Sequence, residues 1–251
     1  MIVPAPGRGP AAAHLLDLWE EGAALPPAAR ARLLLRAATP DAESESLGDL
    51  PVGERDRRLL LWRERWFGPD VSAVERCPWC GEQVELGFAV ADVLVEAGSP
   101  PAATHVTARD GYEIVFRLPT SRDLAAAAGC ADVAAARETV LTGCLVEIRH
   151  EGEPVIAAAV PAHVIAQVEE AMEALDPQAN IELSLRCAAC EGAWAVCFDI
   201  VSYVWDEIAV WARQVLREIH HLAAAYGWSE RDILALGPAR RARYLEMATG
   251  G

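Results

Sequence analysis

Lysine is missing from the 251-residue chain, and Asn180 is its single asparagine. Codons for both residues are AT-rich and alanine is abundant, so these depletions report a GC-rich genome and exclude no chemistry. The shortage of positive charge does exclude something. Twenty-two basic residues face 37 acidic ones, a formal charge of −15 at pH 7. Affinity for nucleic acid comes largely from clustered cations, so a chain whose main work is gripping a phosphate backbone is disfavoured. No stretch approaches the ~20 apolar residues that a membrane helix needs. The most apolar region, 155–168, is broken by Pro161, His163 and Gln167. The start, residues 1–10, is punctuated by Pro and Gly and lacks the apolar core of a signal peptide. A soluble protein of the cytoplasm is expected, with no membrane span and no nucleic-acid partner.

Signatures of the common enzyme classes are also lacking. There is no Walker loop, no GxGxxG, no GxSxG and no HExxH. The six histidines are scattered, and His220 and His221, adjacent in sequence, point different ways on a helix. The carboxylates Glu169, Glu170, Glu173, Asp206 and Glu207 read as solvated helix faces. No catalytic residue is assigned.

A sizeable core is present: 53% of residues are hydrophobic and 24% charged, which excludes a disordered chain. Residues 1–12 read as a loose leader and 39–46 as an acidic linker. Helices are predicted at about 12–22, 27–37, 53–66, 121–128, 131–145, 161–175 and 200–226, with short ones after Ser229 and Pro238. Alternating apolar residues predict strands near 84–90, 112–118, 181–185 and 194–198, and a hairpin around 151–154. Residues 97–103 read as a loop.

Cysteine is the informative residue. Two CxxC pairs, Cys77-Pro78-Trp79-Cys80 and Cys187-Ala188-Ala189-Cys190, are separated by 106 residues. A CxxC turn aims two sulfurs at one centre, and Zn²⁺ takes four ligands in a tetrahedron. One pair supplies half a site; two pairs, each beside a strand, supply a closed structural one. The expectation is a Zn²⁺ ion held by Cys77, Cys80, Cys187 and Cys190, with Gly81 and Gly192 serving the tight turns. Four thiolates leave no open coordination position, so the metal is structural. A redox CxxC is the rival reading, but such motifs use one pair at a strand-to-helix junction. Cys130, Cys144 and Cys197 sit in apolar stretches and read as core residues.

The eight tryptophans are many for this length. Most read as core; Trp62, Trp66, Trp205, Trp211 and Trp228 are candidates for interface anchors. The Arg240-Arg241-Ala242-Arg243-Tyr244 segment is a candidate contact for an acidic partner, and deletion of 227–251 is expected to leave the ribbon folded.

Several segments together resemble a known family. They are Leu-Trp-Arg-Glu-Arg-Trp-Phe-Gly at 61–68, the knuckle at 77–81 and Phe-Arg-Leu-Pro-Thr-Ser at 116–121. Leu-Asp-Pro-Gln-Ala at 175–179, the second knuckle with Phe-Asp-Ile at 198–200, and Tyr-Gly-Trp-Ser-Glu-Arg-Asp-Ile-Leu-Ala-Leu at 226–236 complete the set. The chain resembles baseplate proteins of the T-even phage type, the baseplate hub assembly family, encoded with phage-tail-like contractile injection systems. The resemblance covers most of 55–247 and none of 1–50. It implies a non-enzymatic assembly or structural role beside other baseplate and tail subunits, with the four knuckle cysteines at positions expected to bind metal.

The expected fold is α+β and predominantly helical: a zinc-ribbon-like core of short antiparallel strands, an inserted α/β segment and C-terminal helices. The expected organisation is an N-terminal helical arm and linker (1–50), a helix and first knuckle (51–98), the inserted segment (99–179), and the second knuckle with C-terminal helices (180–251). A zinc-ribbon regulator or adaptor and a thiol oxidoreductase are the alternatives.

Overall fold

A computed structural model describes residues 10–40, 46–96 and 102–249, with the side chains of residues 10, 11, 46 and 249 left aside. Most of the expected leader, the middle of the linker and part of the 97–103 loop lie outside the described residues. Within them the chain is a predominantly helical α+β protein with three small antiparallel sheets.

Three helices come first: α1 (Pro10–Ala23), α2 (Pro27–Ala38) and α3 (Val52–Phe67). A hairpin of β1 (Asp70–Arg76) and β2 (Gln83–Ala89) follows, then one helical turn, α4 (Val90–Val93). The inserted region holds β3 (His105–Arg109), β4 (Tyr112–Phe116), α5 (Ser121–Ala127), α6 (Val133–Cys144), β5 (Leu145–His150), β6 (Glu153–Pro154) and α7 (Ala162–Leu175). A second hairpin, β7 (Glu182–Arg186) and β8 (Ala193–Cys197), leads into α8 (Ile200–Tyr226), α9 (Glu230–Ala235) and α10 (Pro238–Thr249). Strands β1 and β3 have no counterpart in the sequence reading.

Helix α8 is the spine. Asp199 caps it, its carboxylate accepting from the Val201 and Ser202 N–H groups. Gly227, at φ +68°, ends it in the left-handed region. Between them Val204, Ile208, Trp211, Val215, Ile219 and Leu222 recur at three- and four-residue spacing, and all are buried. Leucines of α1 and α2, Leu59, Leu60 and Trp62 of α3, and Ile233 and Leu234 of α9 close around them in one core. Burial of each such side chain contributes roughly 1.5–3 kcal/mol. Because α9 supplies Ile233 and Leu234, and Arg241 of α10 is buried against Glu218 and the Leu236 carbonyl, residues 227–251 are not a detachable tail. Their removal takes Ile233, Leu234 and Arg241 away from that core.

The inserted region has a core of its own. Its sheet runs β3-β4-β5-β6, all antiparallel. Ile114, Phe116 and Ile148 face Val164, Val168 and Met172 of α7, with Leu118 and Cys144 beside them. The two cores join at the start of α3. There the Val52 N–H donates to the Pro119 carbonyl and the Gly53 N–H to the Asp176 carboxylate, each at 2.9 Å. A Cβ at Gly53 would overlap Asp176, so the close approach requires glycine. Gln178 adds two bonds to the backbone at Val93 and Val95. Of the three remaining cysteines, Cys144 is buried; Cys130 is half-buried and Cys197 exposed, because Cys197 points to the solvent face of the two-stranded hairpin.

One ion pair ties the spine to the first hairpin. The Arg63 guanidinium, 1% exposed, donates from Nε and Nη2 to the two oxygens of Glu207 at 2.8 and 2.6 Å. Its remaining N–H groups reach the carbonyls of Gly68 at 2.6 Å and Asp70 at 2.8 Å. Gly68 stands at φ +89°, where an L side chain is strained. Every face of the fork is occupied, and a buried charge in that state is costly to orphan. Arg63→Ala is expected to lose about 3–5 kcal/mol of folding stability in urea titrations, with Arg63→Lys recovering only part of it, because an ammonium cannot make the bidentate contact.

The start of α3 also carries a pH dependence. Burial pushes the Asp56 carboxyl up to about 6, against the pull of Arg55 and with Asp199 and Asp176 adding to the rise. A carboxyl whose folded value exceeds its unfolded value of about 3.9 contributes stability at low pH and loses it as pH rises through the folded value. The stability of the wild type relative to Asp56→Asn is therefore expected to fall by on the order of 2 kcal/mol between pH 4 and pH 7, as read from urea titrations at each pH.

Candidate metal centre

The two knuckles share one backbone pattern. In the first, the Cys77 N–H donates to the Glu82 carbonyl and the Gly81 N–H to the Cys77 carbonyl; in the second, the Cys187 N–H donates to Gly192 and the Glu191 N–H to Cys187, all at 2.9 Å. The residue after each second cysteine is left-handed, Gly81 at φ +75° and Glu191 at φ +59°. The expected role of Gly81 holds. The matching position in the second knuckle is Glu191, not Gly192. Gly192 is needed for another reason: a Cβ there would lie 2.5 Å from the Trp79 ring. The first knuckle therefore seats its tryptophan on the backbone of the second.

Aromatic contacts join the hairpins along their length. Trp79 meets Trp194 edge-on near the tips, with ring centroids 5.8 Å apart. Phe88 meets Phe198 edge-on at the bases, 5.2 Å apart. The Tyr203 hydroxyl of α8 donates to the Ser72 carbonyl and accepts from the Ser72 N–H. Both hairpins thus rest on the first turn of the spine, and both CxxC turns project to the same point.

There the four sulfurs of Cys77, Cys80, Cys187 and Cys190 lie within 4.8 Å of one another. Across the knuckles Cys77 approaches Cys190 at 3.5 Å and Cys80 approaches Cys187 at 3.6 Å. A tetrahedron with Zn–S bonds of ~2.3 Å has sulfur–sulfur edges of about 3.8 Å, so the quartet has the size of a tetrathiolate zinc site. Cys77 and Cys187 are buried, whereas Cys80 and Cys190 are exposed.

The electrostatics of the quartet call for a cation. Burial pushes the Cys77 thiol up, but the N–H groups of Cys80 and Trp79 and the Cys190 and Cys80 thiols outweigh it and hold it near about 6. For Cys80 the Glu82 N–H favours the thiolate, yet Cys77, burial and the other two thiols push it up to about 12. For Cys190 the Gly192 N–H and the Cys80 thiol favour the thiolate, yet Cys77, burial and Cys187 push it up. Four thiolates at this spacing would repel one another, and a divalent cation among them offsets that repulsion. Neither pair sits at the N-terminus of a helix, the position that activates redox cysteines. Among the described residues no other group of three or more potential ligands comes together.

The tryptophans divide differently from the expectation. Trp62, Trp205 and Trp211 are buried in the core, and Trp66 and Trp228 are half-covered. The exposed one is Trp79, at 60%, which was not among the expected interface anchors. Its place between the two cysteines of the first CxxC was the available signal.

A family model described as T4 bacteriophage base plate protein matches residues 32–204, more than two thirds of the chain. The match takes in half of α2, both knuckles and the inserted region, and it begins well before the residue-55 limit of the sequence resemblance. It ends before the 226–236 segment. No curated protein and no solved structure matches.

Elemental analysis of the purified chain is expected to give one zinc per molecule, with stoichiometric loss on chelation or acidification, because protons compete for the four sulfurs. Glu191→Gly is expected to raise the stability of the metal-loaded protein by about 1 kcal/mol, by relieving a left-handed glutamate. Thermal unfolding with and without chelator measures both.

Proposed function

We propose that this chain, which belongs to the T4 bacteriophage base plate protein family, is a structural or assembly protein in the baseplate of a phage-tail-like contractile injection particle, folded around a structural zinc ion. The family match over residues 32–204 carries the reading. Cys77, Cys80, Cys187 and Cys190 are the metal ligands in this proposal, and the ion closes the ribbon without taking part in chemistry. With four protein ligands it has no position left for a substrate. A non-enzymatic role follows, with other baseplate and tail subunits as partners. Synthesis and assembly take place in the cytoplasm of the producing bacterium. No helix among the described residues is long and apolar enough to cross a membrane.

The organisation we propose keeps 99–179 as an insertion between the halves of a ribbon, with 51–98 and 180–251 supplying the halves and 1–50 preceding them. Of the surfaces offered to partners, the knuckle tip is the best defined. Trp79 stands exposed on the backbone of the second knuckle, so that surface exists only while the halves are joined. Buried interface tryptophans are frequent hot spots, each contributing 2 kcal/mol or more on truncation, roughly thirtyfold in affinity.

Deletion of the gene from the producing strain, followed by complementation, is the decisive experiment. The deletion is expected to abolish sheathed particles in negative-stain images, and the wild-type gene to restore them. Cys77→Ser combined with Cys187→Ser is expected to restore none. Trp79→Ala is expected to fold with full zinc content yet lower particle yield at least tenfold. Normal particle numbers in the deletion strain would overturn the proposal.

A further inference from the structure

The four sulfurs are not equivalent. Two sulfur contacts run between the knuckles, Cys77 to Cys190 at 3.5 Å and Cys80 to Cys187 at 3.6 Å. Each of these pairs joins one buried cysteine, Cys77 or Cys187, to one exposed cysteine, Cys190 or Cys80. A disulfide needs ~2.05 Å between sulfurs, so each pair has about 1.5 Å left to close. From this geometry we infer that the metal centre is also an oxidation site, at which a peroxide converts the four ligands into two inter-knuckle disulfides, Cys77–Cys190 and Cys80–Cys187. The inference rests on the reading of the quartet as the clasp between the ribbon halves.

The chemistry balances. Hydrogen peroxide reaches one sulfur of a pair; an S–O bond forms, the O–O bond breaks, and a sulfenic acid and one water result. The partner sulfur attacks that sulfur; the S–S bond forms and the sulfenic oxygen leaves as a second water. Each disulfide consumes one peroxide, which takes up the two electrons that the sulfurs give. For the loaded site, two peroxides and four protons convert the tetrathiolate into two disulfides, four waters and free Zn²⁺.

The direction of pairing decides the consequence. Disulfides within each CxxC would release one knuckle from the other. Disulfides between the knuckles bridge the same two turns that the ion bridges, closing the same 106-residue span covalently. The clasp then survives loss of the metal, so a particle that leaves a reducing cytoplasm for an oxidising medium keeps its ribbon shut.

The sequence makes the test direct. Trypsin cuts after Arg76 and Arg186, placing each knuckle at the head of its own peptide, 77–109 and 187–213. Full-length protein carrying Cys197→Ser, which removes the only other cysteine of those peptides, is first assayed for zinc. It is then treated with hydrogen peroxide beside a zinc-responsive dye, alkylated, digested and mapped without reductant. The expected result is release of all bound zinc with formation of one species joining peptides 77–109 and 187–213, separated by dithiothreitol. Cys77→Ser combined with Cys190→Ser is expected to keep a single link between the peptides, through Cys80 and Cys187. Peptides each carrying an internal disulfide, or sulfinic acids without any link, would overturn the inference even if the double variant failed to fold. Zinc present at the outset with such a result leaves the clasp standing; no zinc and freely reactive thiols would overturn the clasp as well.

Discussion

Two turns separated by 106 residues must meet, and the rest of the architecture is arranged so that they do. Neither hairpin could hold that position by itself, since an isolated two-stranded hairpin is marginal in water. Each has only about one face half-covered, and most of its outward residues are exposed. Closing a loop of about 100 residues costs roughly 5 kcal/mol of chain entropy. Zinc bound to four thiolates contributes ~10–16 kcal/mol of apparent free energy at neutral pH. Such an ion in the quartet, as proposed above, would exceed the closure cost.

Closure at the tips is useful only if the bases are also fixed, and that is the work of the spine. Tyr203 grips Ser72, Phe198 packs edge-on against Phe88, and Glu207 holds Arg63, which in turn holds the carbonyls at Gly68 and Asp70. The first hairpin thus hangs from the end of α3 by a buried cation, and the second enters α8 directly through its Asp199 cap. Two rigid bases and one shared tip make a frame. The inserted region emerges from that frame with its own core, and it is pinned back at the start of α3 by Asp176, Pro119 and Gln178. Its own core is internal, and α5 adds a further attachment through the Arg122–Asp49 ion pair.

The parts of this that were legible in the sequence are those governed by strong periodicity or by chemistry with few alternatives. The span of α8 follows from its apolar spacing and Gly227, and the quartet follows from what two CxxC turns can do. The missed parts lack such signals. Strand β1 has a single buried residue, Val71, so no alternation marks it; its existence is fixed by pairing with β2. Strand β3 is His-Val-Thr-Ala-Arg, short and half polar, and takes its place from β4 and from α7 beneath. Glu191 occupies a left-handed position that glycine would fill more easily, and only the hydrogen-bond pattern it shares with Gly81 reveals that. The buried Arg63 looked like one of many arginines in an amphipathic helix; its partner Glu207 is 144 residues away, beyond the reach of any local pattern.

The limits of the family match gain meaning from this frame. The match ends at residue 204, in the second turn of α8, and the clasp cannot end there. Glu207, the carboxylate that neutralises the fully buried Arg63, lies three residues beyond it. Ile208, Trp211, Ala212, Val215 and Leu222 complete the core against which α1 and α3 pack. A chain cut at 204 would leave a buried guanidinium without its counter-charge and an apolar groove where the spine had been, each costing several kcal/mol. The segment after 204 is therefore as much a part of the ribbon's foundation as the knuckles are of its closure. In this chain the part of α8 beyond residue 204 supplies that foundation behind both knuckles. What is free to differ is the outward face of that helix and the Arg-bearing helix beyond it, where exposed residues such as Arg213, Arg217, Arg240 and Arg243 can change without reaching the core.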